Sequence, residues 1–204
     1  MKIPELLAPA GSMEHLKIAI NAGASSVYLS GKNYGARKFA QNFTLDEIHE
    51  AVKLAHLHNV RVYVTVNTLI KESELESVLN YLNELYAIGV DAVLVQDLGL
   101  IELINRHLPK LKIHASTQLI CENQRKLEYL ESKNVKRVVL PREMRKEEIE
   151  NTENLKFILP GKNAKELLGI MSDGDQNVKI SVNDNNVKFT MDKCILVSRI
   201  IDGE

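Results

Sequence analysis

Tryptophan is absent from this 204-residue chain, and aromatic residues make up only 5% of it. A base-stacking platform would therefore have to rest on scattered Tyr and Phe. Cysteine is nearly absent too: Cys121 and Cys194 stand far apart and in no metal-ligand spacing. That pattern excludes a disulfide scaffold and fits a reducing compartment. Neither sign of charge prevails, with a formal net charge of −1. A generally nucleic-acid-coated surface is excluded on that ground, although a local basic patch is not. No stretch approaches the roughly 18 uninterrupted apolar residues of a membrane helix, and Met1-Lys2-Ile3-Pro4-Glu5 carries no apolar leader run. The expectation is a cytoplasmic protein without membrane contact. About 200 residues leave room for one large or two small domains.

What is present is a rhythm that changes near Asn151. Before it, short β-branched runs alternate with helical stretches six times, the strands reading Leu6–Pro9, Ser26–Ser30, Arg61–Val66, Ala92–Gln96, Lys112–Ala115 and Arg137–Leu140. Runs such as Ala92-Val93-Leu94-Val95 are continuously apolar, as suits strands covered on both faces. Ser12 is placed to cap the first helix, and Thr44-Leu-Asp-Glu47 and Ser73-Glu-Leu-Glu76 have capping-box spacing. Gly23, Asn59, Gly89 and Asn134 each follow a helix where a left-handed residue is wanted. Units of about 25 residues match a (β/α) barrel. An open doubly wound sheet is the competitor, but Ala8-Pro9-Ala10-Gly11-Ser12 lacks the glycine-rich dinucleotide fingerprint. The expected fold class is α/β: a partial TIM-type barrel of about six units, followed by a small antiparallel β-α-β-β-β segment.

Polar residues gather just past the carboxyl ends of these strands, where barrel sites form. For Ser12 and Thr44, helix capping is the favoured role. Arg37, Asn67, Gln118 and Arg142 are poor caps and point instead to a site. His56-Leu57-His58 does not share a helix face, so a metal pair is disfavoured against a cation near a helix C-terminus. His114 reads as a hydrogen-bonded core histidine rather than a general base, and Cys121 as a structural small residue rather than a thiolate lowered by a helix. Ser116 lacks a Gly-x-Ser-x-Gly elbow.

Seven motifs in order resemble one family. They are Pro4-Glu-Leu-Leu-Ala-Pro-Ala-Gly11, Ala22-Gly-Ala-Ser-Ser-Val-Tyr28, Tyr34-Gly-Ala-Arg37 with Asn42-Phe43, Val64-Thr-Val-Asn67-Thr68, Asp91-Ala92 with Gln96-Asp97-Leu-Gly99, His114-Ala-Ser-Thr-Gln118 and Arg137-Val-Val-Leu-Pro-Arg142-Glu143. Residues 1–152 are similar to the N-terminal half of the collagenase-like peptidases, some relatives of which support hydroxylation of tRNA, rRNA or a quinone precursor. The resemblance implies a substrate-facing rim of Arg37, Asn67, Gln118, Arg142 and Glu143. Asp97 is the candidate general base, and the two arginines would hold an anionic group on peptide or RNA. It also implies that the family's cysteine-rich half is missing, so the chain reads as a truncated member with impaired hydrolysis or hydroxylation support. No metal is expected. The iron–sulfur cluster of some relatives is not expected either, since two cysteines fall short of four thiolates.

Residues 153–204 read differently. Phe157–Leu159 is followed by a helix over Ala164–Met171 and then strands Val178–Val182, Val187–Met191 and Ile195–Ile200, alternating in the first two. Leu159-Pro-Gly-Lys162 and Ser198-Arg-Ile-Ile-Asp-Gly203-Glu204 resemble part of the bacterial DNA polymerase sliding clamp. Lys162 and Lys165 are too few for more than weak DNA contact. The alternative reading is thus a non-enzymatic binding module or a chimeric fragment. With six of eight barrel strands, open edges at the first and sixth would invite self-association and leave Leu6, Leu7, Val138 and Val139 poorly protected.

Overall fold

The computed structural model describes residues 5–37 and 41–141, together with the strands Phe157–Pro160, Ser181–Asn183, Asn186–Lys188 and Cys194–Val197. The first six strands are β1 (Leu6–Pro9), β2 (Ser26–Ser30), β3 (Arg61–Val66), β4 (Ala92–Val95), β5 (Ile113–Ala115) and β6 (Val135–Val139), all pairing in parallel. The intervening helices are α1 (Met13–Asn21), α2 (Leu45–Leu57), α3 (Leu75–Ile88), α4 (Leu98–His107) and α5 (Gln124–Ser132). Each of these six strands lies within two residues of the ends expected from sequence, whereas the distal strands depart from theirs by up to three.

Two further strands, β7 (Phe157–Pro160) and β10 (Cys194–Val197), sit between β6 and β1 and pair in parallel with both, so the sheet order closes as a barrel. The expectation of open edges on β1 and β6 is therefore corrected. Of the four residues expected to be poorly protected, Leu7 and Val138 are 1% and 0% exposed, whereas Leu6 and Val139 are only half-buried. Of the antiparallel segment, β8 (Ser181–Asn183) pairs with β9 (Asn186–Lys188) as a hairpin, whereas Cys194–Val197 joins the barrel. The physical reason lies in the pattern: Phe157-Ile-Leu-Pro160 and Cys194-Ile-Leu-Val197 are unbroken apolar runs, which suit strands covered on both faces better than strands with one wet face. The helix expected over 164–171 lies outside the described residues.

Helix boundaries follow local chemistry. Ser12 accepts from His15 N at 3.3 Å, and Thr44 forms a full capping box with Glu47. Gly23, Asn59, Gly89 and Asn134 all have positive φ, as the helix stops required. The Ser73 box does not form. A tight 3-10 turn at Glu72–Glu74 precedes α3, and Lys71 N donates to Glu74 Oε2 at 2.9 Å instead.

A barrel has two cores, and both are visible. Outward residues such as Val27, Val62, Val64, Val93 and Ile113 pack under Leu16, Ile48, Leu82, Ile101 and Leu127 of the helices. Inward residues Leu7, Tyr63, Ala92 and Leu94 meet inside the barrel, with Tyr28 and Val139 against them. Towards the amino ends of the strands the interior is ionic. Glu5 receives Arg137 at 2.8 Å and Arg61 at 2.7 Å, and the Tyr63 hydroxyl donates to its other oxygen. Burial opposes charge on Glu5, but hydrogen bonds from Arg137 and Tyr63 and the Arg137 charge outweigh it and hold the carboxyl below its ordinary range.

Apart from the asparagine stops, two non-glycine residues hold left-handed backbone, Tyr34 with φ 59° and Ile120. Ile120, between β5 and α5, has φ 52° and ψ 70°, and its side chain is 56% exposed. The left-handed region costs a β-branched residue roughly 1–2 kcal/mol. The Lys126 ammonium helps hold it there by donating to the carbonyls of Leu119 and Ile120, the latter at 2.9 Å. Ile120→Asn should therefore raise stability by about 1 kcal/mol, because asparagine tolerates this conformation and little packing is lost. A urea melt checks it. An unchanged or lower midpoint would mean that the isoleucine side chain makes up for its strain.

Candidate functional site at the barrel mouth

The carboxyl ends of the strands surround a cavity of about 400 Å³. Its floor is Leu7, Tyr28, Leu94 and Val139, the apolar inward layer, and its wall is Ser30, Thr65, Ser116, Asn67, Asn42 and Gln118, with Arg37 at the edge. This layering follows from strand alternation: Arg61, Tyr63, Thr65 and Asn67 share one side of β3 and its extension, running from the ionic end to the mouth.

Asn67 organises the rim. Its Oδ1 accepts from Ala36 N at 3.0 Å, its Nδ2 donates to Ser116 Oγ at 3.3 Å, and its carbonyl accepts from Gln96 Nε2 at 2.8 Å. It thereby fastens the loop after β2 to the ends of β4 and β5 and sets the backbone immediately before Arg37. That loop is tied down again where Asn42 Nδ2 donates to the Arg37 carbonyl at 2.9 Å, and where Phe43 and Gly31 pair in a single parallel bridge. The Arg37 side chain is exposed at the cavity and forms no ion pair among the described residues.

Of the sequence-derived candidates, the structure brings Arg37, Asn67 and Gln118 together on this cavity. It does not bring Asp97 there. Asp97 caps α4, its Oδ1 accepting from Leu100 N at 2.8 Å, while Oδ2 accepts from Ile70 N at 3.2 Å. Both carboxylate oxygens are thus committed to backbone donors. Arg142 and Glu143 lie outside the described residues. Ser30, Thr65, Tyr28 and Asn42 complete the mouth and were not singled out from sequence; the period-two alternation of β2 and β3 is the signal that marks the first three.

The remaining candidates settle into structural roles. His56 pairs with Asp91 at 2.8 Å, and the same Asp91 oxygen accepts from Val62 N. His114 lies beneath the floor with its ring edge-on to Tyr63, centroids 4.7 Å apart. Burial, with Arg137, Arg61 and Lys112 adding to it, pushes its pKa down to about 3, so it is neutral. Cys121 is buried, which pushes its thiol up to about 11. The two cysteines do not supply a cluster's four thiolates. Among the described residues no group of three or more His, Cys, Asp or Glu is placed to hold a metal, and no helix is long and apolar enough to cross a membrane.

Comparison with known proteins agrees with this architecture. A solved U32 peptidase superposes with a TM-score of 0.67 at 14% identity, covering 100% of this chain and 95% of that one. A dihydrodipicolinate synthase from Cyanidioschyzon merolae follows at 0.58 and 10% identity, over 83% of this chain and 67% of that one. These show the fold alone. In sequence, the chain is 39% identical over 142 residues to the tRNA hydroxylation protein P1 of Bacillus subtilis, covering 70% of this chain and 34% of that protein. It is 38% identical over 145 residues to the 23S rRNA 5-hydroxycytidine synthase of Escherichia coli (71% and 22%). An uncharacterized protease of Methanocaldococcus jannaschii is 41% identical over 157 residues (76% and 38%). The chain thus spans between about a fifth and two fifths of the length of these relatives. A family model for the central domain of the DNA polymerase III beta subunit matches residues 124–204. It overlaps residues 11–157, which match the model of peptidase family U32. With that match extending over most of the barrel, the chain belongs to peptidase family U32.

Proposed function

We propose that the barrel mouth binds a nucleotide unit of an RNA and that the chain serves RNA hydroxylation rather than peptide hydrolysis. The observation that carries this reading is the wall itself: among the described residues it offers amides and hydroxyls, one arginine and no carboxylate around an apolar floor. Amide side chains match the donor–acceptor edges of nucleobases, an apolar floor accepts a planar ring, and a guanidinium accepts phosphate. The volume falls in the usual range for a small-ligand pocket. The names of the Bacillus subtilis and Escherichia coli relatives support the same direction.

Peptide hydrolysis through a side-chain nucleophile needs an adjacent base. Ser116 Oγ accepts from Asn67 Nδ2 and from Gln118 N at 3.4 Å, and no base among the described residues is hydrogen-bonded to it. A base role for Asp97 finds no support in its two backbone bonds.

Titration calorimetry with nucleoside 5′-monophosphates tests the reading. Arg37→Ala should weaken binding about tenfold or more, the range of a charge-assisted hydrogen bond, and Gln118→Ala several-fold. Asn67→Ala should also weaken it, acting through the loop before Arg37, and should add little to Arg37→Ala in a double variant. Turnover of labelled peptide that depends on Ser116, with no nucleotide bound, would overturn the proposal. A second reading rests on the clamp-like match over residues 124–204: the distal segment acts as a binding module for DNA or a protein partner. Retention of duplex DNA by the wild-type chain but not by a Lys162→Gln/Lys165→Gln variant of the full chain would favour it.

A further inference from the structure

The end of the barrel opposite the mouth carries a charge asymmetry unlike the chain as a whole. Segment 105–112 holds Arg106, His107, Lys110 and Lys112 with no carboxylate, and segment 133–137 holds Lys133, Lys136 and Arg137, again with none. The fold places the two side by side. Ile113 pairs with Val135, Asn105 Nδ2 donates to the Lys133 carbonyl at 2.7 Å, and Asn134 Nδ2 donates to Asn105 Oδ1 at 3.2 Å. Between these pairs the ladder slips: Ile113 faces Val135 but His114 faces Arg137. Lys136 is the extra residue of this bulge and is turned outward to solvent, a way in which bulges re-aim single side chains. Arg106, Lys110 and Lys112 are exposed as well. Lys133 is satisfied by Glu102, and Arg137 by Glu5. Among the described residues Arg106, Lys110, Lys112 and Lys136 have no acidic partner.

Cations at helix C-termini are ordinary complements of the dipole. That explains Arg106 and His107, which close α4. It does not explain Lys110, Lys112 and Lys136, which belong to no helix. Nor does solubility demand them, since the rest of the chain is acidic enough to bring the total to −1. We infer that the strip formed by Lys110, Lys112 and Lys136, with Arg106 at its edge, is a docking surface for the phosphate backbone of RNA. Charge complementarity selects that occupant, and its being RNA rests on the reading of the mouth given above. Strands of three to six residues rise about 3.3 Å per residue, so strip and mouth stand roughly 10–20 Å apart, with Leu7, Tyr63, Ala92 and Leu94 filling the barrel between them. One mononucleotide cannot reach both; a folded RNA with one nucleotide in the mouth can.

The test compares three variants of the full chain on a nucleoside 5′-monophosphate and an RNA stem–loop containing the same nucleotide unpaired, with duplex DNA as a third ligand. Lys110→Gln/Lys112→Gln/Lys136→Gln should weaken the stem–loop about tenfold or more at low salt. It should also make the log–log salt slope less negative by about 2, from roughly 0.7 per lost contact on single-stranded RNA. Mononucleotide binding should stay within twofold. Arg37→Ala should weaken both ligands and leave the salt slope within about one unit. Unchanged stem–loop affinity and slope in the lysine variant, while Arg37→Ala weakens the mononucleotide, would overturn the strip and spare the mouth. The opposite result would overturn the mouth and spare a polyanion surface. Tighter binding of duplex DNA than of the stem–loop would remove RNA as the occupant. A thermal melt confirms that the lysine variant is folded, and Lys110→Arg/Lys112→Arg/Lys136→Arg should restore stem–loop binding.

Discussion

Glu5→Ala should destabilise the barrel by about 3–5 kcal/mol, the range for removing one partner from a buried ion pair and stranding the other. The carboxylate side chain is 6% exposed, and it is where Arg61, Arg137 and Tyr63 converge. Without it, Arg137, whose side chain is 13% exposed, keeps its charge and only the Tyr63 hydroxyl, to which it donates at 2.8 Å, as a partner. Arg61→Leu should cost far less, about 1 kcal/mol at most, because that guanidinium is 43% exposed and water takes up the slack. The same cluster sets an acid sensitivity. His114 has a folded pKa of about 3 against an ordinary 6.5. The unfolded chain therefore takes up a proton as pH falls through 6.5 while the folded chain does not, and stability drops from 6.5 towards 3. Glu5 acts later. Its folded pKa lies below 4.5, so its contribution is complete above 4.5 and is lost as pH falls through the folded value. Urea midpoints at pH 7.5, 5.5 and 4 should thus decline in two stages. His114→Gln should flatten the decline between pH 7.5 and 5.5 and lessen that between 5.5 and 4, leaving the part that belongs to Glu5. A Glu5→Ala variant within 1 kcal/mol of wild type would mean that the interior network is not closed as described.

How much of this was legible in the sequence depends on the range of the interaction responsible. Local rules worked. Thr44 with Glu47, and the four left-handed stops at Gly23, Asn59, Gly89 and Asn134, depend on neighbours three or four residues away. The Ser73 box failed because Lys71 and Glu74 offered a competing tie of the same length. Unbroken apolar runs located the strands within two residues, yet the same signal in Phe157–Pro160 and Cys194–Val197 was outweighed by the alternating pattern lying between them. At the site, Arg37 and Gln118 stood out because each lies past a strand and caps poorly; Asn67 is of a type that caps as well as aspartate, and here it ties the rim instead. Asp97 followed a strand as well, but aspartate is a good cap, and capping is its role here. The Glu5–Tyr63–Arg137 network left no local trace, since its members are separated by 58 and 74 residues. Only the inward parity of their positions, once barrel closure is known, brings them together.

Gly31→Ala is expected to be the most damaging single-methyl addition near the mouth, and the reason is specific enough to be reversed. A Cβ built at Gly31 overlaps the Tyr81 hydroxyl and lies 3.2 Å from the carbon that bears it. Tyr81 cannot step aside. It is 6% exposed on the buried face of α3, stacks at a tilt against Tyr34 with centroids 5.7 Å apart, and Tyr34 is itself fixed by a 2.6 Å bond from its hydroxyl to Ser77. Gly31 cannot retreat either, because Lys32 N and Phe43 N bind the loop back on itself at 3.0 and 2.9 Å. Overpacking of this kind costs roughly 1–3 kcal/mol, and more where both sides are rigid. Among the described residues the Tyr81 hydroxyl has no hydrogen-bond partner, and burial raises its pKa far above the ordinary tyrosine range. Tyr81→Phe alone should therefore be neutral or slightly stabilising, since it removes a buried polar group that nothing satisfies. The double variant should recover most of the Gly31→Ala loss, giving a coupling energy of at least about 1 kcal/mol in a double-mutant cycle. If the mouth binds a mononucleotide as proposed, the double variant should also restore that binding, which the single variant would disturb by shifting the loop that presents Arg37. If the two effects simply add, Tyr81 is not what Gly31 makes room for.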